Sequence, residues 1–64
     1  MSNVVGEIGY ITIPTKGQDG PGEAIFGKKG AWIVWSPEPL KKGAQVVVTA
    51  ERGGRTVSVQ STGL

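Results

Sequence analysis

The chain contains neither cysteine nor histidine. The first absence removes disulfide staples, thiolate nucleophiles and cysteine-type zinc sites together. The second removes the usual proton shuttle, the Ser-His triad and the commonest transition-metal ligand. The carboxylates that remain, Glu7, Asp19, Glu23, Glu38 and Glu51, are scattered and lack the spacing of a calcium loop. No catalytic residue, no metal site and no cofactor site is therefore expected, and the chain does not read as an enzyme. Charge of one sign is scarce too. Seven basic against five acidic residues leave a net +2, short of the excess that nucleic-acid-binding proteins carry. Long apolar runs are also missing: the longest, Ala31 to Trp35, falls far below the roughly 20 residues of a spanning helix. The opening "MSNVVGEIGY" lacks the basic and apolar regions of a signal peptide.

What the chain does have is 11 glycines and 4 prolines dividing short stretches rich in Val, Ile and Thr. Nothing in it sustains apolar residues at helical spacing, so the pattern predicts strands. At 64 residues it forms one domain with a thin core. Five strands are expected, over residues 4–13, 23–27, 31–36, 44–51 and 55–60, with loose tails at 1–3 and 61–64. Gly6 and Gly9 are expected to bend the first strand so that it pairs on both sides. "PTKGQDGPG" is a loop, and "KKG" and "RGG" are tight turns. The fourth strand alternates with Val46, Val48 and Ala50 inward, and the fifth with Val57 and Val59 inward. Leu40, in the irregular "PEPLKK" connection, is expected to plug the barrel end. Five alternating strands of this length protect their edges best by closing into a small barrel, of OB or SH3-like type.

Both tryptophans fall on the third strand, three positions apart. Side chains alternate along a strand, so Trp32 and Trp35 point to opposite faces and cannot share one core. Trp32 shares a face with Val34 and Ser36, whereas Ile33 and Trp35 share the other. If Ile33 is inward, Trp35 is too and Trp32 becomes an exposed anchor; otherwise the roles reverse. Lys41 and Lys42 follow in the next turn, and an exposed ring with a lysine rim is expected to serve as a contact surface for another macromolecule.

"VGEIGYITIP", "GPGEAIF" and "WIVWSPEPLKKGAQVVVTAERGGRTVSVQ" together resemble the soluble C-terminal domain of the NfeD-like family. The resemblance rests on Gly6, Gly9, Gly22, Ser36, Leu40, Lys42, Gly43, Val46, Val48, Gly53 or Gly54, Val57 and Val59. Val34 and Trp35 depart from it, standing where a small and a variable residue are expected. The resemblance implies an all-β, five-stranded OB-fold barrel carried on the cytoplasmic side of a membrane. It also implies association with stomatin- or flotillin-like SPFH-type scaffold proteins. Some long relatives carry a serine protease domain, and nothing in this sequence matches it.

Together these features predict a non-catalytic protein-interaction module, with Trp32, Trp35, Leu40, Lys41 and Lys42 as interaction residues. Its contact with membrane is expected to be indirect, through the partner or a membrane segment elsewhere in a longer chain. The alternative is a weak single-stranded nucleic-acid-binding OB domain, with bases stacked on aromatics beside lysines. A third reading is a barrel that self-associates.

Overall fold

In the computed structural model, which describes residues 4–62, the five strands are β1 (Ile8–Ile13), β2 (Gly22–Ile25), β3 (Ala31–Trp35), β4 (Gln45–Gly53) and β5 (Thr56–Ser61). They close in the order β1-β2-β3-β5-β4. Every neighbouring pair is antiparallel except β3 and β5, which run parallel. This is the five-stranded OB-fold barrel that the pattern and the resemblance predict. Closure gives each strand a neighbour on both sides, so the ring itself offers no edge for an added strand.

The interior follows from period-two alternation. Val46 and Val48 of β4 and Val57 and Val59 of β5 are buried, joined by Ile11, Ala24 and Val34 from the other strands. β-Branched side chains have few rotamers to lose and pack well on a pleated surface. Val4, Phe26 and Leu40 complete this core from the loops.

Ala50 corrects the sequence reading. The β4–β5 register shifts between Val48 and Ala50, where a bulge changes the phase of the alternation. Ala50 therefore faces solvent, and the hairpin arm beyond it leaves the barrel. The first strand differs as well. It starts at Ile8, and Gly6, at φ 92°, belongs to a preceding turn. That turn is fastened to β4 by the Gly6 N–H donating to the Val48 carbonyl at 2.8 Å. The irregularity in β1 lies between Ile11 and Ile13, not at a glycine, and β1 pairs with both β2 and β4 as expected. Of the two predicted tails, residues 1–3 and 63–64 lie outside the described residues. Ser61 and Thr62 are not loose: Ser61 pairs with Val46, and the Thr62 N–H donates to the Gln45 carbonyl at 3.1 Å.

Leu40 is the plug, only 7% exposed. Its backbone is buttoned to the β1–β2 loop by the buried Thr15. The Leu40 N–H donates to Thr15 Oγ1 at 2.8 Å, and the Thr15 N–H donates to the Leu40 carbonyl at 3.1 Å. Leu40→Ala removes a buried side chain from a thin core and leaves a cavity in its place. A loss of about 2–5 kcal/mol is expected, read as a lower urea midpoint at unchanged slope.

Candidate interaction surface

The two tryptophans resolve through Val34. It is fully buried, so Trp32 shares the inward face while Ile33, 46% exposed, and Trp35 lie outward. Trp32 packs against the core at the barrel end and donates its indole N–H to the Lys29 carbonyl at 2.9 Å. The Arg55 guanidinium lies 4.8 Å from its ring centroid. That guanidinium is itself tied down, its Nη2 donating to the Lys29 carbonyl at 2.8 Å and the Ala31 carbonyl at 3.0 Å. Trp32, Arg55 and the β2–β3 turn thus form a structural clamp, and Trp32 is not the exposed anchor.

Trp35 stands on the other face and forms one wall of an open groove of about 590 Å³ on β3, β4 and β5. The Arg52 guanidinium lies 5.3 Å from its ring centroid and donates through Nε to Ser58 Oγ at 2.7 Å. The two rings therefore predict unequal costs. Trp32→Ala is expected to destabilise by about 2–4 kcal/mol, since it opens the barrel end. Trp35→Ala is expected to cost under about 1 kcal/mol, as an outward substitution. Thermal unfolding of the two variants side by side checks the assignment.

A second surface covers the outside of β1, β2 and β3. Tyr10 is directly opposite Ile25, and Ile25 is opposite Ala31, so all three face the same way. Ile8 and Ile33, each two residues along, extend that face, which also carries Glu23, opposite Ile33 and accepting from Thr12 Oγ1 at 3.2 Å. Ile8, Tyr10, Ile25 and Ile33 are each about half exposed, between 45% and 54%. The Tyr10 hydroxyl accepts from Gln45 Nε2 at 3.1 Å, which fixes the ring on the surface.

Lys41 and Lys42 border this face. Their turn continues the β1–β4 ladder beyond the Tyr10–Gln45 pair, the Gly43 N–H donating to the Ile11 carbonyl at 2.7 Å. Lys28, on the turn that follows Phe26, is exposed beyond Ile25 at the far end. The residues singled out in the sequence are therefore not gathered at one place. Trp32 and Leu40 support the barrel from within, Trp35 lines the groove, and Lys41 and Lys42 edge the β1 side without lining the groove.

A family model described as the NfeD C-terminal domain matches residues 8–60, most of the chain, from the first residue of β1 to the last but one of β5. The chain belongs to that family. Neither a curated protein nor a solved structure matches it. Every surface residue named above lies inside the matched span.

Among the described residues, no three acidic side chains converge on a common point. Ser36 is buried and its hydroxyl accepts from the Glu38 N–H at 3.3 Å. Sequence reasoning missed Ile8, Ile25 and Ile33 as surface residues. The available signal was that both alternating sets in "IGYITI" and "AWIVW" are apolar, more than one inner face can bury.

Proposed function

We propose that this NfeD C-terminal domain is a non-catalytic docking module that binds an SPFH-type scaffold protein of the stomatin or flotillin kind. The observation that carries the reading is the outer face of Ile8, Tyr10, Ile25 and Ile33, half exposed and edged by Lys28, Lys41 and Lys42. Soluble monomers rarely keep so many large apolar side chains together on one exposed face. An apolar centre with a charged rim is the usual anatomy of a protein interface. With Glu23 opposite Ile33 on the same face, the charges around the apolar residues are of both signs. The family resemblance supplies the partner class, and with it a place at the cytoplasmic side of a membrane. Among the described residues no helix is long and apolar enough to cross a bilayer. The membrane is accordingly reached through the scaffold or through another segment of a longer protein.

The test is an amide NMR titration of the labelled domain with a purified stomatin-type SPFH domain. Shifts clustered on β1, β2 and β3 are expected. Shifts confined to the other side of the barrel, or none at about 0.1 mM partner, a concentration that detects even weak specific complexes, would refute the reading.

A further inference from the structure

Two arginines each lie over a tryptophan, yet their remaining hydrogen-bonding capacity differs. Arg55 spends its guanidinium on the Lys29 and Ala31 carbonyls and serves the fold. Arg52 spends only Nε, on Ser58, and its two terminal nitrogens have no partner among the described residues. The Ser58 bond and the Trp35 ring hold that free fork in place at the groove. No carboxylate lines the groove to neutralise it. Gln18 and Gln60 also line it, and neither carboxamide has a partner among the described residues. Pro37 and the Trp35 ring supply the apolar walls.

From this arrangement we infer that the Trp35 groove is a second binding site, one that takes a short extended stretch of acidic polypeptide. A pre-positioned guanidinium fork matches a carboxylate through two parallel hydrogen bonds. Carboxamides both donate and accept, which is what an extended peptide backbone requires along its length. The indole and proline walls receive an aliphatic or prolyl side chain next to the carboxylate. The volume is within the range of small-ligand sites and suits a few residues. A single-stranded nucleic acid fits less well, because its backbone needs cations at successive phosphates and Arg52 is the one cationic side chain among the lining residues. The site lies on β3, β4 and β5 and meets the docking face only along β3, where Ile33 and Trp35 both point outward; Ile25 on β2 is not among its lining residues.

The probe is the capped peptide acetyl-Glu-Leu-Pro-Glu-amide, followed through the Trp35 indole N–H and the amides of Ser58 and Gln60. A saturable shift is expected, with at least tenfold weaker binding of the same peptide carrying Gln in place of both Glu. Arg52→Gln is expected to lose binding to a similar extent, and Arg52→Lys, which keeps charge without the fork, to fall between. Because the peptide comparison uses the unmodified domain, it stands even if a variant folds poorly. Ile25→Glu is expected to leave peptide binding unchanged, which separates this site from the docking face. Equal binding of the neutral peptide overturns the inference. So does the absence of any shift at about 5 mM, beyond the range of a weak specific contact. Shifts produced by hexathymidylate but not by the peptide overturn it in favour of nucleic acid.

Discussion

Gly9→Ala is expected to unfold the domain. Gly9 is buried in β1, paired with Val46 of β4. A methyl group there would meet the Phe26 ring, including Cε1 at 2.6 Å, and the Ile25 carbonyl oxygen at 2.6 Å. Neither neighbour can give way cheaply. Phe26 is only 4% exposed and packed in the core, and the Ile25 backbone is pinned between Tyr10 and Ala31 on its two flanks. Overpacking a tight site typically costs about 1–3 kcal/mol, and more when the obstacle is backbone. A domain of this size holds only roughly 3–10 kcal/mol in total. Gly6→Ala makes the useful contrast. Gly6 has φ 92°, so a side chain there is strained, but nothing lies within 4 Å of the new methyl. Its cost is expected to be about 1–2 kcal/mol, from backbone conformation alone. Amide dispersion should be lost for Gly9→Ala and kept for Gly6→Ala. A folded Gly9→Ala protein with an unshifted urea midpoint would show that Phe26 does not cover β1 as described.

The same neighbourhood explains why part of the molecule could be read from its sequence and part could not. Val57 and Val59 were legible because they alternate with the polar Thr56, Ser58 and Gln60, and Val46 and Val48 because the opposite phase, Gln45, Val47 and Thr49, is mostly polar. Leu40 was legible because a lone apolar residue in a proline-rich connection has nowhere else to go. Ala50 was not, since the bulge that follows Val48 inserts a residue into one strand and leaves no mark in the apolar pattern. The tryptophans were ambiguous for a related reason. In "AWIVW" both phases are apolar, and what decides between them is Val34 filling the interior beside Ala24 and Val57, a three-dimensional fact. Gly9 was read as a bend when its task is to make room for Phe26, a residue 17 positions away that the strand pairing brings alongside. The interaction surface was the least legible part. Its apolar residues looked like core because hydrophobicity alone does not say which side of a barrel wall a side chain occupies.

Ile25→Glu is expected to abolish docking while leaving the fold intact. Ile25 is at the centre of the outer face, opposite Tyr10 on one side and Ala31 on the other. It is 45% exposed and belongs to no part of the core, so the substitution should cost the barrel under about 1 kcal/mol. Against a partner the same change places a carboxylate where an apolar side chain would be desolvated. Central interface residues of this kind carry about 2–4 kcal/mol, which corresponds to roughly 30- to 1,000-fold in affinity. The penalty should be larger still if the partner is edged with carboxylates, because the new charge then meets its own sign. Ile25→Val, which keeps the apolar face, is expected to bind within about threefold of the unmodified domain. Salt separates this mode from phosphate binding. Docking through an apolar centre should change little between about 50 and 200 mM salt, whereas a complex relying on several phosphate contacts loses orders of magnitude. Isothermal titration of the three proteins with the SPFH domain at both salt concentrations reads all of these effects at once. If Ile25→Glu binds as tightly as the unmodified domain, the β1–β2–β3 face is not the docking surface.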